Sequence, residues 1–283
     1  MQHSPLAFNE PVLLFGGPYS NLEAMMALLS EAKRRGISGD RMVCTGDLVA
    51  YGADPQAVVD LARAAGVLTL MGNCEEALAT GAEDCGCGFD EDSDCAALST
   101  VWYAYSSAHV DRESRAWMAG LPRRLEVSIG GCHFSLTHGG FHHISRFIFA
   151  SDRAAIAEEM TFAGGSVVAG HCGLPFTVVD RQWVWHNPGV IGMPANDGTP
   201  RVWYSVLQPV PGGVEIELAA LHYNYGTAAA KMRSAGLPEG YARCLETGYW
   251  PSEDVLPRAE RAAAGRPLKP SKLIWQPQQA VMA

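Results

Sequence analysis

Met42-Val43-Cys44-Thr45-Gly46-Asp47, continuing as Leu48-Val49-Ala50-Tyr51-Gly52, is the stretch that decides the fold. A short apolar run that meets Gly-Asp reads as a buried strand ending in a tight turn, with the Asp47 carboxylate at the strand's C-terminal edge. Ligands of open α/β sheets bind at that edge. Burying an unpaired carboxylate is costly, so Asp47 requires a cation or a proton. The rest of the chain is therefore read for side chains able to share a metal with it.

Outward from this stretch the pattern is strand, turn, helix, repeated. Pro11 to Phe15 reads as a strand, and Asn21 to Arg35 as a helix with Leu22, Met25, Met26, Leu28 and Leu29 on one period, Ser20 or Asn21 as cap and Gly36 as stop. A helix from about Pro55 to Ala65 follows the Asp47 turn, then a strand at Val67 to Leu70 and a helix from the Gly72-Asn73-Cys74 turn through Ala79. Units of this kind imply a parallel sheet with right-handed crossovers. Gly81 to Asp94 breaks the pattern with Cys85-Gly86-Cys87-Gly88 and the acidic run Asp90, Glu91, Asp92 and Asp94, and reads as an insert. Helices resume from about Ala96 to His109 and Arg112 to Ala119. Leu125 to Ile129 and Cys132 to Leu136 then form a hairpin around Gly130-Gly131, and short strands follow at Val167 to Ala169, Phe176 to Val179, Trp183 to Trp185, Val202 to Leu207 and Val214 to Leu221. Sheet on sheet with helices outside is the architecture expected. Residues 1–222 are read as the main domain, with the Cys-rich insert at 81–95. Residues 223–283 are read as a helical extension and a basic tail from about Pro257, mobile or loosely packed.

Composition narrows the function. The chain has 283 residues, 48% of them apolar, and a net charge of −9, which argues against a nucleic-acid footprint. No stretch approaches a membrane span, and no basic region precedes the Val12 to Phe15 run, so a cytoplasmic protein is expected. Its eight cysteines are then expected to be reduced, buried or metal-bound.

Four turns, each after a strand, offer metal-competent side chains: Asp47, Asn73, His138 in Thr137-His138-Gly139-Gly140, and His171 in Gly170-His171-Cys172-Gly173. One carboxylate, one amide oxygen and two imidazoles suit Mn, Fe, Zn or Ni. Singly, Asn73 reads as a helix cap and each His as a turn residue; together and in this order they read as a ligand set.

That order resembles the calcineurin-like metallophosphoesterase superfamily, in its small bacterial phosphodiesterase branch. Ser20-Asn21-Leu22-Glu23-Ala24, the run from Asp47 to Pro55, and Asn187-Pro188-Gly189 with Gly192 and Pro194 carry the same resemblance. It implies a four-layer αββα sandwich of two mixed β-sheets flanked by helices, with one or two divalent or trivalent transition metals at the strand ends. It also implies hydrolysis of a small phosphate ester, a nucleotide among the candidates, by a metal-bound hydroxide. Asp47, Asn73, Cys74, His138 and His171 then stand in the catalytic positions.

The chain departs from the family's blocks at four places. Gly17 stands where the family has Asp, Tyr19 where it has His, Cys74 where it has the His that protonates the leaving group, and Gly173 where it has a second His. One metal position keeps all its ligands; of the other only Asp47 remains. Either Tyr19, Cys74 or Cys172 rebuilds the second position with softer donors, or a single metal acts alone. The rebuilt site is favoured because Cys74 and Cys172 both fall in ligand turns. The alternatives to an enzyme are a non-catalytic metal- or nucleotide-binding member and a redox sensor.

The cysteine loop admits a further site, in which Cys74, Cys85, Cys87 and Cys95 supply four thiolates to Zn or an iron-sulfur cluster; otherwise it is a redox-sensitive lid or an ordinary insert. Asn21, His143 and Arg146 are candidate substrate contacts, Arg146 because a guanidinium binds phosphate bidentately. The oligomeric state is left open.

Overall fold

The computed structural model describes residues 5–90 and 92–277. In chain order its strands are β1 (Leu6–Phe8), β2 (Val12–Phe15), β3 (Met42–Cys44), β4 (Leu68–Thr69), β5 (Arg124–Ile129), β6 (Cys132–Thr137), β7 (Ser166–Ala169), β8 (Phe176–Val179), β9 (Val184–Asn187), β10 (Val202–Val210), β11 (Gly213–Leu221) and β12 (Ser271–Trp275). The helices are α1 (Leu22–Arg34), α2 (Pro55–Ala64), α3 (Asn73–Thr80), α4 (Asp94–His109), α5 (Arg112–Met118), α6 (Arg153–Met160), α7 (Tyr225–Ser234), α8 (Glu239–Thr247) and α9 (Arg258–Arg261).

Two six-stranded mixed sheets result, ordered β12-β11-β10-β2-β3-β4 and β1-β5-β6-β7-β9-β8. β2, β3 and β4 run parallel, as the strand-helix units require, while β10, β11 and β12 are antiparallel. In the other sheet β6, β7 and β9 are parallel and β5–β6 is the expected hairpin. β2 shows how the layers stack. Its alternate residues Val12 and Leu14 enter a cluster shared with Phe134, Leu136 and Val184 of the opposite sheet, whereas Leu13 and Phe15 face Met25 and Leu28 of α1. A period of two thus gives one face to the second sheet and one to the helices. On the far side α6 covers the second sheet through Ile156 against Val167 and Trp185. The four-layer αββα sandwich is as expected.

Four elements were not expected, the short α9 in the tail among them. β1 is a short, mostly exposed strand on the edge of its sheet, pairing with β5. α6 starts at the Asp152 cap, whose side chain accepts from Ala155 N, but its apolar residues are mostly alanine and mark no clear face. β12 corrects the reading of the tail. Instead of lying loosely, residues 271–275 pair antiparallel with β11, anchored by buried Trp275, whose indole N–H donates to Asp180 O. Of the acidic run, Asp90, Asp92 and Asp94 are exposed, and Glu91 lies outside the described residues. Among the described residues no helix is long and apolar enough to cross a membrane.

Candidate metal centre

The two sheets meet where the parallel bridge Gly16–Val190 and the bond from Gly16 N to Gly189 O join β2 to the segment after β9. At this seam the strand ends of both sheets deliver their turns. Asp47 follows β3, Asn73 opens α3 after β4, His138 follows β6 and His171 follows β7. Asp47 and His171 both hold φ near 60°, a left-handed conformation that non-glycine residues adopt where the surroundings dictate it. Gly46, at φ 105°, has no room for a side chain: a Cβ there would lie 2.8 Å from His138 Nδ1.

His138 Nε2 is the point of convergence. It lies 3.0 Å from Asn73 Oδ1, 3.0 Å from His171 Nδ1 and 3.2 Å from Asp47 Oδ2. His138 Nδ1 is 2.7 Å from Thr45 O, and a carbonyl only accepts, so Nδ1 carries the ring proton. In the neutral ring Nε2 is therefore a bare lone pair. Asn73 Nδ2 donates to Cys85 O at 2.9 Å, which fixes the amide and leaves Oδ1 facing the same point. Lone pairs from four side chains thus face one another, all of them buried. Burial and hydrogen bonding of the distal imidazole nitrogen to a carbonyl are how metal-ligating histidines are held. Separations of 3.0–3.2 Å match neighbouring ligands placed about 2.0–2.2 Å from one ion. The residues present fit a divalent metal. Among the described residues, Asp47, His138 and His171 form the one group of three or more His, Cys, Asp or Glu side chains with such convergence.

Without a metal, Asp47 and His138 favour each other's charged forms, a proton on the imidazole standing in for the cation. Burial resists ionisation of Asp47, but the neighbouring His138 outweighs it and holds the carboxyl below its usual range. Burial likewise resists a charge on His138, and Asp47 overrides it, raising the imidazole. Burial, then the adjacent His138, push His171 down to about 3, so that ring is neutral and free to donate a lone pair.

Glu75, which the sequence reading passed over, holds the frame. Its buried carboxylate accepts from Asp47 N at 2.7 Å, Leu48 N at 2.8 Å and Gly72 N at 2.9 Å, tying the Asp47 turn to the Asn73 turn. The bond to Gly72 is the reach-back of a glutamate at the third position of a helix, a pattern visible in Gly72-Asn73-Cys74-Glu75. Asn187 does the same for His171, donating to Gly170 O and Cys172 Sγ.

The other proposed site residues fall elsewhere. Asn21 is a structural clamp: Oδ1 caps α1 at Ala24 N and Nδ2 donates to Gly192 O. Arg146 is committed to carboxylates, with 2.6 Å contacts to Glu159 and Glu158, and is not aimed at a phosphate. His143 is exposed and its carbonyl closes a turn with Gly140 and Arg146. Cys172 Sγ sits with Phe149 and Leu256 and bonds Leu174 O and Asn187 Nδ2, and burial pushes the thiol up to about 12. Burial, then Asp47, also raise the Cys74 thiol, whose backbone N–H donates to Asp47 Oδ1. Tyr19 is raised likewise, and its ring lies flat against Gly17, where a Cβ would run into it. Trp250 covers Gly173, 3.3 Å from the position of a Cβ. Cys85 and Cys87 are joined in a disulfide, while Cys74 and Cys95 are separate free thiols, so the four sulfurs do not gather into one site. The other six cysteines are free and buried, as expected, and only this one pair departs from that reading.

A metal-competent cluster at the strand ends of an αββα sandwich defines a metal-dependent phosphoesterase fold. The chain belongs to the calcineurin-like phosphoesterase superfamily, whose domain model matches residues 20–208. It is 26% identical over 248 residues to the uncharacterized protein MJ0912 of Methanocaldococcus jannaschii, spanning 81% of this chain and 95% of that protein. Its fold is similar to a metallophosphoesterase from Sphaerobacter thermophilus, at 24% identity and a TM-score of 0.67, covering 85% of this chain and all of the other. It is also similar to the hypothetical protein PH1004 of Pyrococcus horikoshii, at 17% identity and a TM-score of 0.70, covering 85% and 99%. The family acts on phosphoric esters and uses divalent metals.

Proposed function

We propose that this protein hydrolyses small phosphate esters with one metal, held by Asp47, Asn73, His138 and His171. The observation that carries the reading is the convergence on His138 Nε2 of three further ligand atoms at 3.0–3.2 Å, with His138 Nδ1–H donating to Thr45 O. When bound, a divalent metal supplies Lewis acidity and acidifies water. Asp47 and the two imidazoles hold and neutralise it, Glu75 and Asn187 fix their turns, and the buried walls exclude bulk water.

A second metal has poor support. The places of its missing ligands at Gly17 and Gly173 are taken by the rings of Tyr19 and Trp250. Cys172 turns its sulfur toward Asn187 and Leu174. Nor is a good proton donor at hand for a leaving group, since burial holds the Cys74 thiol protonated and His143 is exposed on its loop. The substrates that fit are phosphodiesters or monoesters with weakly basic leaving groups, activated aryl esters among them.

The test is turnover of bis(p-nitrophenyl) phosphate by protein loaded with Mn2+, beside Asp47→Ala. Activity lost in the variant supports the reading. A wild type that binds one Mn2+ and turns over neither this diester nor p-nitrophenyl phosphate supports instead a non-catalytic metal-binding member, a reading favoured by the depth of the site, where His171 is only 8% exposed.

A further inference from the structure

Cys85, Gly86 and Cys87 lie directly against the metal centre, on the insert between α3 and α4. Asn73 has two amide protons, and Nδ2 spends them on the loop: Cys85 O accepts at 2.9 Å and Cys87 Sγ at 3.2 Å. Nothing else in the site fixes that amide so firmly, and its orientation is what turns Oδ1 toward His138. The loop also reaches a second ligand. Phe89, two residues past Cys87, stacks on Phe147 at 6.1 Å between centroids, and Phe147 lies 4.2 Å from the His171 ring. Ser145 Oγ donates to Gly86 O and pins the loop from the His138 side. Cys85 and Cys87 are only 3% and 6% exposed, but Asp84, Gly86 and Gly88 around them are open to solvent. One turn of chain therefore separates the pair from solution.

We propose that Cys85 and Cys87 form a thiol–disulfide exchange site that sets how tightly the centre holds its metal, acting through Asn73. The proposal rests on the metal reading above. In the exchange, a thiolate of a dithiol reductant attacks one sulfur of the pair. The Cys–Cys bond breaks, and its electron pair leaves on the other cysteine, which takes a proton. The reductant's second thiol then closes on the mixed disulfide, releasing the first cysteine as a thiol and leaving the reductant oxidised. Once the covalent bond is broken, the two sulfurs no longer hold one another in place. Cys87 Sγ then leaves its place under Asn73 Nδ2, and the amide keeps Cys85 O but loses the second of the two loop acceptors that hold its orientation. Losing such support to a ligand weakens metal binding by about 10–100-fold. By reciprocity, metal protects the disulfide from reduction by the same factor.

The experiment measures the dissociation constant for Mn2+, from the paramagnetic resonance of the free ion, on oxidised protein and on protein reduced with dithiothreitol and desalted under argon. Thiol counting after denaturation sets the two states: six free thiols oxidised and eight reduced. Oxidised protein is expected to bind Mn2+ at least tenfold more tightly. The double variant Cys85→Ser/Cys87→Ser should bind like reduced protein in both states, and Cys95→Ser should behave as wild type. Bound Mn2+ should slow reduction of the disulfide in wild type. Equal affinities in the two states, with Asp47→Ala abolishing binding, would leave the metal centre standing and overturn the coupling. Tighter binding by the reduced form would overturn it too, since that result means thiolate ligation. Eight free thiols after air oxidation would remove the disulfide altogether. Failure of wild type to bind Mn2+ in either state would sink the metal reading and this proposal with it.

Discussion

Replacing Glu75 by glutamine exchanges one carboxylate oxygen for an amide that cannot accept. Oε2 receives Asp47 N and Gly72 N, and Oε1 receives Leu48 N. Glutamine keeps the first two if its carbonyl takes the Oε2 place, at the strength of neutral bonds, and turns NH2 toward the Leu48 N–H. Hydrogen bonds to a charged acceptor are worth about 1.5–3 kcal/mol each and a buried orphan donor costs about 1–3 kcal/mol. Against this, burial and then the charge of Asp47 already push Glu75 up to about 7, so neutralising it relieves a repulsion. The balance is a loss of about 2 kcal/mol for Glu75→Gln and about 4 kcal/mol for Glu75→Ala, which strands all three donors. Urea unfolding of metal-free protein reads these values directly. The Mn2+ dissociation constant should rise about tenfold in Glu75→Gln, because two ligand turns lose their common tie. A Glu75→Gln protein within about 0.5 kcal/mol of wild type, with unchanged Mn2+ affinity, would refute the assignment of Glu75 as the residue that positions Asp47 and Asn73.

Gly17→Ala should cost about 2–4 kcal/mol, from a positive φ and a clash with Tyr19, and at least about 1 kcal/mol less in a Tyr19→Ala background; additive losses in a denaturation cycle would show that the ring does not fill that space. Arg146→Met strands Glu159, whose side chain is fully buried, and should cost about 2 kcal/mol while leaving KM for a phosphate ester unchanged; a raised KM would restore Arg146 as a substrate contact. His186 is buried with its ring nitrogens facing Thr177 and Ser205 hydroxyls, and burial lowers its pKa from 6.5 to about 3. The unfolded chain then binds the extra proton first, so stability falls as the pH drops from about 6.5 toward 3, by up to about 4 kcal/mol. His186→Asn should flatten that dependence, and an unchanged slope would count against it. Mn2+ at about 100 times its dissociation constant should add about 2.7 kcal/mol of stability, reversed by chelator and absent from Asp47→Ala; an equal gain in the variant would place the metal elsewhere.

Much of this was legible in residues that act locally. The apolar runs at Val12–Phe15 and before Gly46-Asp47 marked the parallel strands, and strand ends then placed Asp47, Asn73, His138 and His171 together. What was not legible depends on partners distant in sequence. Arg146 looked free because Glu158 and Glu159 sit on α6, a short helix whose apolar residues are mostly alanine and show no clear periodic face. Asn21 looked like a substrate contact because its partner, Gly192 O, lies 171 residues away. β12 escaped notice because one buried residue, Trp275, anchors a strand otherwise specified by the edge of β11. The substitutions at Gly17 and Tyr19 were visible one by one, yet only packing shows that the second accounts for the first. Glu75 is the exception, since its spacing from Gly72 was on view as half of a capping box.

The most direct test of one metal in a four-residue centre is elemental analysis of protein purified without chelator, wild type beside Asp47→Ala. The account predicts one transition metal per chain in wild type and none in the variant. Two metals per chain, or a metal that survives the loss of Asp47, would contradict it.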